Sequence, residues 1–139
     1  MKVWDKFFNK EITIKISKYR IEWDKAPSKE QQILQDFLYK YWKNHIILSE
    51  MRVPRCLWRF DLVNCNKRII IEYSPESHHN NFNKFFHKNR AGYLRSLKSD
   101  LYKYEWAEKN GFKIIEIVKK DLDKLSVEYI EEISGVNIL

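Results

Sequence analysis

The sequence predicts a mixed α/β fold: a central sheet flanked by helices, with a small strand pair ahead of it. Three observations carry this. An amphipathic helical pattern covers residues 29–43, three apolar runs follow between residues 46 and 73, and a long helical stretch at 91–109 leads into one further apolar run at 112–118. The order is helix, three strands, helix, strand. A strand reached through a helix is expected to join the sheet parallel to its neighbour by a right-handed crossover. At 139 residues the chain can bury one hydrophobic core without disulfide or metal staples. A single domain is therefore expected, with an N-terminal extension over 1–25, a core over 28–118 and a C-terminal helix within 119–139.

Each element has its own signal. Ile12, Ile14 and Ile16 alternate with polar residues, as do Tyr19, Ile21 and Trp23. These two runs predict a pair of short strands joined at Ser17-Lys18. Ala26-Pro27-Ser28 breaks the pattern, and Ser28 followed by Gln31 has the spacing of a capping box. Behind it Ile33, Leu34, Phe37, Leu38, Tyr41 and Trp42 fall on one helical face, which predicts the helix at 29–43. Strands are expected at 46–53, 57–64 and 67–73. In the second, strict alternation places Trp58, Phe60 and Leu62 on one face and Arg59, Asp61 and Val63 on the other. Asn64-Cys65-Asn66 supplies the turn, and the run Ile69-Ile70-Ile71 predicts a central strand covered on both faces. Ser74-Pro75-Glu76-Ser77 ends it, and 80–89 reads as irregular or weakly helical. The helix at 91–109 is expected to turn Leu94, Leu97, Leu101 and Tyr104 inward and to stop at Asn110-Gly111. A strand at 112–118 and a short helix at 126–134, closed by Gly135, complete the chain.

Composition narrows the function classes. No apolar run exceeds three residues, against the roughly 20 that a membrane-spanning helix needs, so no membrane partner is expected. The N-terminal residues lack the apolar stretch of a secretory signal. Cys56 and Cys65 are too few for a disulfide scaffold or a four-cysteine zinc site, and an intracellular location is expected. Lys and Arg outnumber Asp and Glu by 26 to 19, a net charge of +7 and a pI near 9.3. Such a balance draws a domain towards polyanions, of which nucleic acid is the commonest in a cell.

Asp61 interrupts an otherwise apolar strand, and Glu72 lies at the end of the next one. A hairpin between 57–64 and 67–73 brings the two to the same end of the sheet. Paired carboxylates in a half-buried place need a proton or a cation, and a divalent ion with oxygen ligands meets that need. His78 and His79 follow directly, with His87 further on, and imidazole serves as acid, base or ligand near neutral pH. Asp100 and Lys103, three residues apart on the long helix, face one side. Lys84, Lys88, Arg90 and Arg95 are interleaved with Phe82, Phe85, Phe86 and Tyr93, a pattern suited to a nucleic-acid backbone and its bases.

Taken together, Arg59-Phe60-Asp61-Leu62-Val63, Arg68-Ile69-Ile70-Ile71-Glu72-Tyr73, His78, Asp100, Lys103 and Gly111-Phe112-Lys113-Ile114-Ile115 resemble the PD-(D/E)XK nuclease superfamily. Within it they look like the branch of very-short-patch repair endonucleases and phage homing endonucleases with an EDxHD motif. The resemblance runs from about Ser28 to Val118, roughly two thirds of the chain. It implies a restriction-endonuclease-like core and a metal-dependent DNA endonuclease, with Asp61 as the central metal-binding aspartate and Glu72, His78 and Asp100 at the later motif positions. Either Glu30 or Glu50 stands at the first acid, with Glu50 favoured because its strand neighbours that of Asp61. The lysine of the superfamily name is replaced by Ser74, as in the narrower branch.

The resemblance further implies Mg²⁺, with Mn²⁺ as a substitute, held by Asp61 with Glu50 or Glu72. His78 would move a proton and Lys103 would offset phosphate charge. Double-stranded DNA is the expected partner, with a homodimer and a separate targeting module or partner protein as further possibilities. The competing expectations are a repair or defence nuclease rather than a homing one, and a non-catalytic DNA-binding protein that keeps the acids for structure.

Overall fold

The computed structural model describes residues 1–5, 9–54, 58–75 and 101–139. A two-stranded antiparallel hairpin of β1 (Lys2–Asp5) and β2 (Lys10–Thr13) precedes the first helix, α1 (Lys29–Trp42). Strands β3 (Ile47–Arg52), β4 (Arg59–Asn64) and β5 (Ile69–Ser74) form an antiparallel meander. Helix α2, helical over 101–109, leads to β6 (Lys113–Val118), which pairs parallel to β5. A 3-10 turn and the last helix, α3 (Val127–Ser134), follow. The main sheet is therefore four-stranded and mixed, in the order β3-β4-β5-β6.

Two apolar layers hold it. On one face Leu34, Leu38 and Trp42 of α1 pack with Ile130 of α3 against Leu62, Ile71 and Ile115. On the other, Trp106 and Ala107 of α2 and Val3 of the hairpin pack against Leu48, Val63 and Ile70. Ile69, Ile70 and Ile71 are buried across both layers, as expected of a central strand. The indole N–H of Trp42 donates to the Ile138 carbonyl at 2.9 Å and ties the C-terminal tail over the first layer.

The N-terminal strands differ from the expected pair. β2 covers part of the first alternating run but pairs with Lys2–Asp5, while Ile16–Lys18 forms a 3-10 turn. The second run, Tyr19 to Trp23, instead lies along the free edge of β3. Arg20 bridges Leu48, the Ile21 N–H donates to the Ile47 carbonyl at 3.0 Å, and the Ser49 N–H donates to the Tyr19 carbonyl at 2.7 Å. Covering that edge satisfies backbone groups that would otherwise invite pairing with another chain.

Helix α1 opens as the sequence predicts, with the Ser28 hydroxyl accepting from the Gln31 N–H at 3.1 Å. Its buried stripe is Gln31, Leu34, Gln35, Leu38 and Trp42, rotated from the expected one, so that Ile33 is 49% exposed. The rotation follows from Gln35, whose side-chain amide donates to the Trp23 carbonyl at 3.1 Å and pins the edge segment to the helix. Helix α2 is rotated too. Leu101 and Tyr104, expected inward, are exposed, while Trp106 is buried and Tyr102 packs beside it. Leu94 and Leu97 lie outside the described residues. Gly111 (φ 75°) and Gly135 (φ 74°) take the left-handed conformation that stops a helix. Ser28→Ala should cost about 1 kcal/mol by removing the cap, read as a lower urea midpoint at unchanged m-value.

Candidate functional site

The site lies where β3, β4 and β5 pass the first turn of α1. Ser49 faces Leu62 and Met51 faces Phe60, so Glu50 and Asp61 hold the facing positions between them. The β4–β5 ladder runs as far as Leu62 opposite Ile71, which makes Glu72 the next residue across from Asp61. On its other side Glu72 pairs with Glu116 of β6. One row across the sheet thus carries Glu50, Asp61, Glu72 and Glu116. Neighbouring strands lie about 4.8 Å apart, and within the row the Asp61 charge acts on both Glu72 and Glu50.

The backbone in this row departs from a regular strand. Glu50 has φ 54°, a left-handed conformation that costs a non-glycine residue about 1–2 kcal/mol. The faces switch at the same point. Leu62 packs in the α1 layer, whereas Phe60, two residues away, packs in the α2 layer with Met51. Strict alternation had placed Phe60 and Leu62 together, and the break falls on Asp61. Strain of this kind concentrates at functional sites.

Specific partners hold the acids. An Asp61 carboxylate oxygen accepts the Tyr73 N–H at 2.7 Å. A side chain thereby takes the backbone donor just beyond the end of the β4–β5 ladder. Lys103 reaches across from α2 and donates to Glu72 Oε1 at 3.1 Å, with the two side chains only 19% and 21% exposed. Its ammonium also sits 5.6 Å from the Phe60 ring centroid. Burial, and next the Asp61 charge, push the Glu72 carboxyl up to about 8 against the opposing pull of Lys103. The Asp61–Glu72 pair therefore shares a proton near neutral pH.

Glu50 is raised as well, by burial first and then by Asp61, and it is stabilised as an anion by Gln31, Arg59 and Lys103. Gln31 is 5% exposed, and its side-chain nitrogen has no partner at strict hydrogen-bond geometry. It lies close enough to favour the Glu50 charge without closing the second half of the capping box. Glu30, one residue earlier, acts on Tyr73: burial and then the Glu30 charge raise that phenol.

Of the residues singled out from sequence, Glu50, Asp61, Glu72 and Lys103 are brought into one electrostatic cluster, and Glu30 lies at its margin. His78, His79, Lys84, His87, Lys88, Arg90, Arg95 and Asp100 lie outside the described residues. Among the described residues, no three acidic, histidine or cysteine side chains converge as a ready metal-holding group. Asp61 and Glu72 nonetheless suit Mg²⁺ chemically. They are hard oxygen donors crowded enough to retain a proton, and Mg²⁺ is commonly held by one or two carboxylates, the remaining positions going to water and substrate phosphate. Sequence reasoning missed Glu116, whose Oε1 is buried without a partner, and Gln31 as a neighbour of Glu50. Glu116 carried one signal, an acid inside the apolar strand Lys113–Val118.

No helix among the described residues is long and apolar enough to cross a membrane. Comparisons of the chain with protein-family models, curated proteins and solved structures gave no match.

Proposed function

We propose that the chain is a Mg²⁺-dependent DNA endonuclease of the PD-(D/E)XK type, with a homing role as the leading biological reading. The observation that carries this is the half-buried Asp61–Glu72 pair with the Lys103 ammonium set against it. Phosphodiester hydrolysis needs a nucleophilic water, relief of charge on the phosphate and a proton for the leaving oxygen. Mg²⁺ bound at the pair would supply the Lewis acid and orient water. Asp61 and Glu72 would hold it, and Glu50 fits the first acid better than Glu30 because it is the one that feels Asp61 directly. Lys103, now on Glu72 at 3.1 Å, would turn to a phosphate oxygen when substrate binds. His78, six residues past Glu72, is assigned proton transfer, a role typically worth 10²–10⁴-fold. The net charge of +7 supports a polyanionic substrate.

A second reading, a DNA-binding protein that keeps the acids for structure, draws on the Asp61 bond to the Tyr73 N–H. One experiment separates the two. The protein is incubated with supercoiled plasmid in Mg²⁺ or in EDTA, and binding to a labelled duplex is measured in parallel. Nicked or linear product in Mg²⁺ alone supports the nuclease. Binding without cleavage supports the second reading, and neither activity sinks both. Reversing Lys84, Lys88 and Arg90 together to Glu should weaken duplex binding at least about tenfold and flatten its salt dependence, because phosphate contacts release counterions.

A further inference from the structure

Just beyond the acid row, Arg52 and Arg59 face each other across the β3–β4 ladder. Both are exposed, and neither makes an ion pair with any described residue. Like charges directly opposite in a sheet are destabilising, and among the described residues only the nearby Glu50 charge attracts Arg59, without closing an ion pair. Met51, Val53 and Phe60 pack into the α2 layer, and Trp58 lies against Tyr102 at a ring separation of 5.0 Å. Alternation therefore turns Arg52 and Arg59 to the opposite face, towards the start of α1, where Gln31 approaches Glu50. The Arg59 charge is felt by Glu50, which places the guanidinium beside the acid cluster. Arg52 lies two residues from Glu50 along β3, about 6.7 Å of strand and of the order of one nucleotide of an extended backbone.

We infer that Arg52 and Arg59 form a two-pronged clamp for a phosphodiester of nucleic acid, one step along the strand from the phosphate presented to Asp61 and Glu72. This rests on the nuclease reading and adds to it the residues that set the path of the backbone into the site. A guanidinium is the natural group for the role, because its planar fork binds phosphate oxygens bidentately and is never deprotonated. Two such forks on adjacent strands hold a phosphate from two sides, which positions a backbone without reading sequence. The repulsion between the arginines is relieved once an anion sits between them.

The test uses fluorescence anisotropy of a labelled random-sequence duplex in EDTA, across a salt series. Wild type is compared with Arg52→Ala/Arg59→Ala and with a control of equal charge change, Lys40→Ala/Lys43→Ala, at the other end of α1 where both lysines are exposed. The clamp variant should bind at least about tenfold more weakly at low salt. Its log K against log salt slope should be shallower by about 0.9, for the one phosphate the two arginines share. Its Tm should be equal to or above wild type, because a like-charge pair has been removed. The control should keep the wild-type slope, and Arg52→Lys/Arg59→Lys should keep most of the slope while losing affinity. If wild type binds and the clamp variant matches it or the lysine control, the clamp is wrong and the nuclease reading stands. If polyglutamate displaces the duplex as well as unlabelled DNA does, the arginines serve an acidic polypeptide instead. If wild type fails to bind, the nuclease reading and the clamp fall together. A large fall in Tm for the clamp variant marks the arginines as structural and overturns the inference.

Discussion

Asp61→Asn should abolish Mg²⁺-dependent cleavage, by about 10³-fold or more, while leaving the metal-free protein as stable as wild type or more so. The two halves of this expectation have separate causes. A carboxylate that holds Mg²⁺ supports several kcal/mol of charge stabilisation at the phosphate, and each 1.36 kcal/mol is a factor of ten in rate. Asparagine is nearly the same shape and keeps an oxygen that accepts the Tyr73 N–H, now at 2.7 Å. What it removes is the negative charge next to Glu72, which Glu72 currently answers by holding a proton. Asp61→Ala is a less clean change: it leaves the Tyr73 N–H without its acceptor, at a cost of about 1–3 kcal/mol. Thermal unfolding in EDTA and plasmid cleavage in Mg²⁺, measured on the same preparations of wild type and both variants, read the two effects apart. Undiminished cleavage by the Asn variant, or a large fall in its Tm, would remove Asp61 from the centre of the site.

Much of the architecture was legible because it is written in local periodicity. The triple isoleucine of β5 can only be a strand buried on both faces. The stop at Asn110-Gly111 ahead of an apolar run is enough to place β6 as the strand after a helix. The Asp61–Glu72 juxtaposition followed from a short hairpin, whose register leaves little freedom. What escaped depends on non-local packing. No residue type announces that a strand will change face, and the switch between Phe60 and Leu62 is visible only beside Glu50 at φ 54°. The faces of α1 and α2 were set by polar side chains with specific targets: Gln35 on the Trp23 carbonyl and Lys103 on Glu72. Hydrophobic periodicity gives polar residues like these no weight. Glu116 was missed because the register of a parallel pair is fixed by a long crossover and not by a turn. The pairing of Tyr19 to Trp23 with β3 was missed for the same reason, since an edge partner distant in sequence leaves no short-range mark.

The same acids should link stability to pH and, on the proposed reading, to divalent ions. In EDTA, wild type should lose stability relative to Glu72→Gln as pH rises from about 4.5 to about 8, the interval over which the Glu72 carboxyl is raised by folding. Below about 4.5 both the folded and the unfolded chain carry the proton, and the contribution of this group is fully present. Between the two values the unfolded chain has released its proton while the folded protein keeps it. The unfolded state then binds fewer protons, and stability must fall with rising pH. Above about 8 the folded pair ionises and no further loss accrues. Each unit of displacement is worth about 1.4 kcal/mol, so the cumulative fall is a few kcal/mol, a large part of an ordinary domain's stability. The Gln variant cannot ionise at this position and should show a flatter profile; Asp61→Asn should flatten it only in part, because it removes the Asp61 charge while burial, the larger cause, still raises Glu72. Lys103→Met should steepen it, because the Lys103 ammonium is what opposes the rise. Millimolar Mg²⁺ at pH 8 should restore much of the loss to wild type and little to the Gln variant, because a cation bound by the ionised pair replaces the proton. Urea unfolding at several pH values, with and without Mg²⁺, gives the difference directly. A wild-type minus Glu72→Gln difference that stays flat from pH 5 to pH 8 would mean that the two carboxylates do not share a proton and do not form a cation-seeking pair.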